Sequence, residues 1–136
     1  VSAFGLGRAL QVSGASDVLA GGLIGLARDD PRLSLLAVYF ITSASTVLIT
    51  NNAAAVLFFP IAMATATRLG VSHLPFIMAT MVAASGSFAS PISYQTNLMV
   101  YGPGSYRFTD YVRIGVPLSL LLMGIAVSLA PVIWPF

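Results

Sequence analysis

The sequence predicts an all-α membrane protein, and three observations carry the prediction. Hydrophobic residues make up 57% of the 136 residues and charged residues only 7%, whereas soluble domains carry about 25% charged residues. Residues 33–67 contain no charged side chain, and residues 114–135 form a second apolar run that includes Trp134. Uncharged runs of this length are typical of membrane-spanning helices, and tryptophan is typical of the membrane interface.

The sparse charges and the lack of cysteine exclude several classes of protein. The charged residues are six Arg and four Asp, with a net charge of +2, and so small a set indicates no nucleic-acid-binding surface. Without cysteine the chain holds no disulfide and no thiolate metal site. It begins at Val1 with neither an initiator Met nor a signal-peptide pattern. We therefore expect a piece of a longer protein.

Residues 1–27 are predicted to form two short helices, the first amphipathic and the second transmembrane. Ser13 and Gly14 break the first helix, and Ser16 or Asp17 is placed to cap the second. The second helix contains a G-x-x-x-G spacing, which lets a neighbouring helix approach closely. Ordinary helix packing is the favoured interpretation of that spacing.

Residues 33–67 are predicted to form a helical hairpin. As one helix this uncharged run would be ~52 Å long, against roughly 30 Å of hydrocarbon core. It must therefore turn, and its polar centre is Thr50-Asn51-Asn52. We expect arms over 33–49 and 53–67, with both outer ends on the same side of the membrane.

Residues 74–112 are predicted to form a discontinuous helix. Pro75 suits the first turn of its apolar part, and S-P-I-S-Y-Q-T-N follows as an uncharged polar stretch. A proline among polar neighbours between apolar segments indicates an unwound loop, which we place at 89–97. After the turn G-P-G, the stretch R-F-T-D-Y-V-R is amphipathic and leads into a C-terminal transmembrane helix over 113–136.

The two polar breaks share one chemical feature, because each lies directly before a fresh apolar helical run. Asn51 and Asn52 precede A-A-A-V-L-F-F, and Thr96 and Asn97 precede L-M-V-Y. Asparagine is a preferred N-cap, so each break is predicted to open a half-helix whose free N–H groups point back toward it. Two such helix starts at membrane depth create an electropositive site without Lys or Arg. Secondary transporters hold substrates and ions in this way.

An alternative stays open for the first break. A 17-residue arm just reaches across the hydrocarbon core, so Asn51 and Asn52 are equally compatible with an interfacial turn between two full spans. The second break favours a re-entrant hairpin, because an interfacial turn does not account for it.

A polar stripe supports an internal face on the first arm. Thr42, Ser45 and Thr46 are spaced i, i+3, i+4 and lead toward Thr50. We expect this stripe to avoid lipid, either as part of a site or as hydrogen-bonding packing between helices.

A hydrolase is a weak alternative. Ser85, Ser87 and Ser90 lie near the second break and His73 lies upstream, but the chain contains no G-x-S-x-G motif. His73 and Ser87 are ~20 Å apart at helical rise. We therefore expect no enzyme activity.

At these two breaks the chain resembles the divalent anion:sodium symporters, the SLC13-type permeases of the ion transporter superfamily. The stretch T-N-N-A-A-A-V-L-F-F-P-I-A resembles the second of two Ser-Asn-Thr hairpin tips in that family. The stretch from S-P-I-S-Y-Q-T-N through R-F-T-D-Y-V-R-I-G-V-P-L resembles the broken helix and last span of its sulfate or SLC13 permease subgroup. The two matches cover nearly the whole chain, which would be the C-terminal part of a permease.

The resemblance implies one half of an inverted-repeat transporter, with residues 1–27 on the scaffold side. It implies a missing N-terminal repeat as partner, a homodimer, a small anionic substrate, and a multi-pass location in the plasma (inner) membrane. Arg28, Arg32 and Arg68 would lie outside, and Arg107 and Arg113 in the cytoplasm. The coupling ion would be Na⁺, with no other cofactor.

The resemblance also implies a set of site residues. The anion-binding residues would be Thr50, Asn51, Asn52, Thr96 and Asn97. The cation-binding residues would be Thr46, Thr50, Asn51, Ser93, Tyr94 and Gln95.

The expected function is therefore cation-coupled symport, with Na⁺ as the cation, of sulfate or a dicarboxylate. The chain departs from the signature where Thr50 replaces its Ser and Asn52 its Thr, and Val47 stands where relatives often have a carboxylate. These departures leave ion identity open. The alternative is another superfamily member, an arsenite or Na⁺/H⁺ antiporter, although a proton antiporter would want an intramembrane carboxylate.

Overall fold

The chain is all-α, as predicted from its composition. The computed structural model describes residues 5, 8, 9, 12–86, 88–92 and 94–136, and no strand occurs among them. Six helices have both ends within the described residues: α1 (Ala15–Leu26), α2 (Pro31–Thr46), α3 (Asn51–Leu69), α4 (His73–Ser85), α5 (Gln95–Tyr101) and α6 (Phe108–Ile133). Most of the amphipathic helix expected over residues 1–12 falls outside the described residues.

The start of α1 differs from the expectation. Gly14 is the N-cap and no side chain caps the helix, so neither Ser16 nor Asp17 acts as a cap. The Asp17 carboxylate instead lies 3.9 Å from the Arg68 guanidinium of α3. The charge of Asp17 thus joins two helices, and Ser16 turns into the packed interior.

The hairpin is built by α2 and α3, joined by the four residues 47–50. Asp30 begins α2, since its carboxylate accepts a 2.8 Å hydrogen bond from the Arg32 N–H and Pro31 occupies the first turn. Gly70 ends α3 in a left-handed conformation with φ 66°, which glycine adopts without steric cost. The non-helical turn spans 47–50, so α2 ends three residues before the expected end of the first arm and α3 begins two residues before the expected start of the second.

The break in the second half is shifted toward the N-terminus. Helix α4 ends at Ser85 and α5 begins at Gln95, so the described residues between them, 86, 88–92 and 94, are non-helical, where an unwound loop was expected over 89–97. The N–H of Gly86 still bonds to the Val82 carbonyl at 3.0 Å, but its backbone leaves helical geometry at ψ 43°.

The last helix is longer than predicted. Helix α6 begins at Phe108, five residues before the expected boundary at 113, and runs 26 residues through Pro117 and Pro131. The Arg107 N–H donates to the Asp110 carboxylate at 2.8 Å, which closes the first turn and brings the expected interfacial stretch into the helix. At ~39 Å, α6 exceeds the thickness of a hydrocarbon core.

Two of the described helices, α3 and α6, are long and apolar enough to cross a membrane. The core lies where α2, α3 and α4 meet, and alanines close these contacts: Ala62, Ala66, Ala79 and Ala83 are at most 1% exposed. Small side chains let membrane helices approach closely, so dispersion contacts and hydrogen bonds hold them together.

The polar stripe of α2 faces this core, as expected. Thr42 and Thr46 are fully buried, and Ser45 is half-buried. The Thr42 hydroxyl donates to the Val38 carbonyl and the Thr46 hydroxyl to the Ser43 carbonyl, both at 2.7 Å. The buried hydroxyls therefore bond to their own helix, which removes the cost of burying them unpaired.

Candidate functional site

One cavity joins the hairpin turn to the helix break. It has a volume of about 540 Å³ and is lined by Thr50, Asn51, Asn52, Ser85, Tyr94, Gln95 and Thr96. The first three residues come from the start of α3, and the last three from the start of α5. Two stretches more than forty residues apart in the chain therefore share one polar space.

Thr50 caps α3, which corrects the expectation that Asn51 or Asn52 does so. Thr50 has extended backbone geometry (φ −67°, ψ 150°), and its hydroxyl accepts from the Ala53 N–H at 3.4 Å. Asn51 is then the first helical residue, so its amide is free for another role. The N–H of Ala54 bonds to the Thr50 carbonyl at 2.9 Å, so Thr50 satisfies the N–H groups of both Ala53 and Ala54.

The side-chain oxygen of Asn51 is buried and has no hydrogen-bond partner among the described residues. A buried acceptor without a partner costs about 1–3 kcal/mol, and native proteins rarely keep one without a ligand, water or ion. This oxygen belongs to a residue that lines the cavity. The Ser16 and Ser34 hydroxyl oxygens are also buried without a partner among the described residues, but neither residue lines this cavity.

The opposite wall of the cavity comes from the second break. Tyr94 is the N-cap of α5 in extended geometry, with no side-chain cap bond, and Gln95 and Thr96 form the first turn. All three side chains are exposed. Hydroxyl and amide groups are thus presented to the cavity without being used to cap the helix.

Charge in the cavity comes from helix ends rather than ionised side chains. None of the lining residues carries a formal charge. The start of α3 presents the positive end of its dipole, and the end of α4 at Ser85 presents a negative end. Such a site offers N–H donors to an anion and carbonyl and hydroxyl oxygens to a cation.

Asn97 lies elsewhere, contrary to the expectation that it lines the same site. Its side-chain amide donates to the Ser90 carbonyl at 3.3 Å, and its own carbonyl accepts from the Tyr111 hydroxyl at 3.1 Å. It lines a separate cavity of about 310 Å³ beside α6. Because α5 begins at Gln95, Asn97 sits within the first turn and turns back to the loop instead of capping the helix.

The remaining expected residues divide into two cases. Thr46 is fully buried and does not line the cavity, since its hydroxyl points along α2. Ser93 lies outside the described residues.

Ser85 is a lining residue that the sequence did not identify as part of a binding site. The sequence suggested only that Ser85 could be the nucleophile of a hydrolase with His73 as its base. His73 is at the opposite end of α4, and its Nε2 lies 3.0 Å from the Thr67 hydroxyl. Its position in the sequence, at the end of an apolar helix and directly before a polar break, could have identified Ser85 as a lining residue.

The whole chain, residues 1–136, matches the citrate transporter (CitMHS) family. An uncharacterized transporter of Synechocystis sp. is 45% identical over 118 residues, which is 86% of this chain and 19% of the relative. An uncharacterized transporter of Escherichia coli is 39% identical over 130 residues, covering 96% of this chain and 20% of the relative. Sodium/sulfate cotransporter 2 of Chlamydomonas reinhardtii is 36% identical over 127 residues, which cover 92% of this chain and 14% of the relative.

The chain thus spans about a fifth or less of the length of these relatives. The match over every residue agrees with the resemblance carried by the two polar breaks, and the apolar α3 and α6 agree with a membrane location. This chain belongs to the citrate transporter family of membrane transporters.

Proposed function

We propose that the chain is the C-terminal part of a sodium-coupled symporter for a small divalent anion. The observation that carries the proposal is the cavity between the hairpin turn and the break, lined by uncharged polar groups around the start of α3. Discontinuous helices that meet in this way are how many secondary transporters bind their substrates.

A neutral cavity requires a co-bound cation if it is to take a dianion. Removing a doubly charged anion from water costs far more than a few neutral hydrogen bonds return. The buried Asn51 oxygen without a partner is the kind of ligand a hard cation prefers. A sodium ion at this oxygen would satisfy the acceptor and offset the charge of the anion at once.

We assign the binding roles as follows. Thr50, Asn51, Asn52 and Thr96 contact the anion through hydroxyl, amide and backbone N–H groups. Thr50 and Asn51 also contribute to cation binding, with Tyr94 and Gln95 from the break. Asn97 supports the loop through its bonds to Ser90 and Tyr111 and takes no direct part in binding.

Sulfate is the favoured substrate and a dicarboxylate the second candidate. A relative that is 36% identical is named a sodium/sulfate cotransporter, while the family description names citrate. A proton antiporter is disfavoured because no carboxylate lines the cavity in the described part of the chain. The remaining partners in this proposal are an N-terminal repeat, a second copy of the protein and the plasma membrane.

Uptake by the full-length transporter in proteoliposomes tests this function. With an inward sodium gradient we expect uptake of labelled sulfate, falling at least about tenfold when potassium replaces sodium outside. Excess succinate and citrate report on selectivity, because competition by either identifies a carboxylate substrate.

A proton ionophore provides the control for the coupling ion. Sulfate uptake that persists without sodium and collapses with the ionophore would establish proton coupling and overturn the sodium assignment. Anion binding of unchanged affinity with and without cations would overturn the charge-offset argument itself.

A further inference from the structure

Three residues of α6 form a stripe against the broken segment. Tyr111, Gly115 and Ser119 are spaced four residues apart and so share one face of the helix. We call them the α6 stripe. Each lies at a backbone carbonyl of the break or of α5, so the contacts form a regular series along two antiparallel segments.

The three contacts differ in kind, but each is made to a backbone carbonyl group. The Tyr111 hydroxyl donates to the Asn97 carbonyl at 3.1 Å, and the Ser119 hydroxyl donates to the Gly86 carbonyl at a longer 3.5 Å. Between them, Gly115 is buried and packs directly on the peptide at Phe88, where a Cβ atom would collide with the Phe88 carbonyl.

A break within a membrane needs such contacts. The described residues of the break, 86, 88–92 and 94, are non-helical and so lack the hydrogen bonds of a continuous helix, and hydrocarbon offers no replacement. Non-helical backbone survives at that depth only where protein or a water-filled cavity satisfies its polar groups. The α6 stripe meets this need from one side: Ser119 donates to the first residue of the break and Gly115 packs on the peptide at Phe88. Tyr111 donates to Asn97 in the first turn of α5, directly after the break.

The stripe also brackets the proposed site. Gly86 follows Ser85, and Asn97 follows Thr96, while Ser85 and Thr96 both line the cavity at the hairpin turn. The two ends of the break are therefore held by one rigid helix, and the distance across the cavity from α4 to α5 depends on it.

We propose that the α6 stripe positions the break for cation and anion binding, with Tyr111 as its principal positioning residue. This inference rests on the proposed symport function and extends it to residues that do not touch the ligands. The Tyr111 hydroxyl sets the position of the first turn of α5, and with it the cavity-facing groups of Tyr94, Gln95 and Thr96.

The variant Tyr111→Phe in the full-length transporter tests the inference, because it removes one hydroxyl and keeps the ring. That ring packs 6.0 Å from those of Tyr101 and Tyr106. We expect the half-saturating sodium concentration to rise roughly fivefold, the size of one lost hydrogen bond, with little change in maximal uptake per molecule. Tyr106→Phe is the matched control, since the Tyr106 hydroxyl makes no hydrogen bond with the described residues.

Amide hydrogen exchange over α5 gives a second readout that needs no transport. Loss of the hydroxyl should speed exchange of the α5 amides roughly fivefold in Tyr111→Phe and leave Tyr106→Phe unchanged, because local opening follows local hydrogen bonding. Sodium-independent uptake by the unaltered protein would count against the proposed function but not against the positioning role. In that case the two variants would be compared by their KM for sulfate instead of their half-saturating sodium concentration.

Three results would overturn the positioning role. The first is exchange that is unchanged in Tyr111→Phe. The second is an equal effect of both variants. The third is faster exchange with unaltered sodium dependence and unaltered sulfate KM, which would make the hydrogen bond merely structural.

Discussion

At the hairpin turn, Thr50 caps α3 and Asn51 offers its side-chain oxygen to the cavity, whereas the sequence suggested that an asparagine does both. Thr50 is extended, and its hydroxyl caps the N–H of Ala53. Asn51 is thereby released from capping, and its oxygen is buried without a partner. A polar atom in that state destabilises the protein by about 1–3 kcal/mol, and a ligand bonded to the oxygen would recover that cost.

Asn51→Leu is predicted to separate binding from stability. Leucine has nearly the shape of asparagine and removes the unpaired oxygen. We expect the half-saturating sodium concentration to rise at least about tenfold, a loss of about 1.4 kcal/mol in binding. In sodium-free buffer the melting temperature should stay the same or increase. Sodium-dependent uptake and thermal unfolding of the full-length protein measure the two effects.

Thr42→Val is the control for that pair of measurements. The Thr42 hydroxyl is buried and satisfied by the Val38 carbonyl, away from the cavity. We expect a loss of stability of about 1 kcal/mol with unaltered sodium dependence. Normal sodium dependence in Asn51→Leu would remove Asn51 from the cation site.

At the scale of the elements, the break between α4 and α5 depends on its neighbour α6. Most of α6 is exposed in this chain, and Gly115 and Ala130 are its buried residues. Ala130 joins the core at one end, and Gly115 meets the break at the other. Between these two positions, the half-buried Met123, Ala126 and Val127 also pack against the core.

Gly115→Ala is predicted to disturb the break, because the new methyl group collides with the Phe88 carbonyl. Overpacking of this kind costs typically about 1–3 kcal/mol, and here the obstacle is backbone, which cannot rotate away. Gly124→Ala on the same helix meets nothing within 4 Å, and alanine favours helix over glycine by up to about 1 kcal/mol.

Thermal unfolding of the two purified full-length variants measures this contrast. We expect a clearly lower melting temperature for Gly115→Ala, and an unchanged or higher one for Gly124→Ala. Equal melting temperatures would mean that α6 does not press on the break as the structure shows.

At the scale of the whole molecule, arginines near the starts of α2 and α6 lie at opposite ends of the packed helices. Helices α4 and α6 are antiparallel, since the rings of Phe76 and Phe136 lie 6.2 Å apart at one end and Gly115 meets Phe88 at the other. The short connections of the hairpin place the start of α2 at the same end as the start of α4. Arg32 and Arg113 thus lie at opposite ends of the helix packing.

Thiol labelling of the full-length protein is predicted to detect this separation. The orientation that the family resemblance implies places the start of α2 and the start of α4 outside, so cysteine introduced by Arg32→Cys or His73→Cys is expected to react with a membrane-impermeant reagent in intact cells. Cysteine introduced by Arg113→Cys should react only after the membrane is opened. This chain contains no cysteine of its own, so native cysteines elsewhere are the only ones to replace. Labelling of Arg32→Cys and Arg113→Cys from the same side would contradict the arrangement.

Local chemistry accounts for most of what was predictable. The uncharged run of residues 33–67 was too long for one crossing, so a turn was expected at Thr50-Asn51-Asn52. The turn spans 47–50 instead, because Thr50 caps α3 and Asn51 is already helical. The second break was predictable because proline and polar residues interrupt an apolar helix. Its bounds shifted by three residues, because α4 leaves helical geometry already at Gly86 and α5 begins already at Gln95.

The sequence by itself determined the class of the molecule, its family, its hairpin and its broken helix, because each follows from composition or from neighbours in the chain. Only the tertiary structure decided that Ser85 lines the cavity, that Asn97 turns away from it and that α6 supports the break. Those outcomes depend on which faces of distant helices meet, and a side chain's neighbours across a helix interface are not encoded in its local spacing.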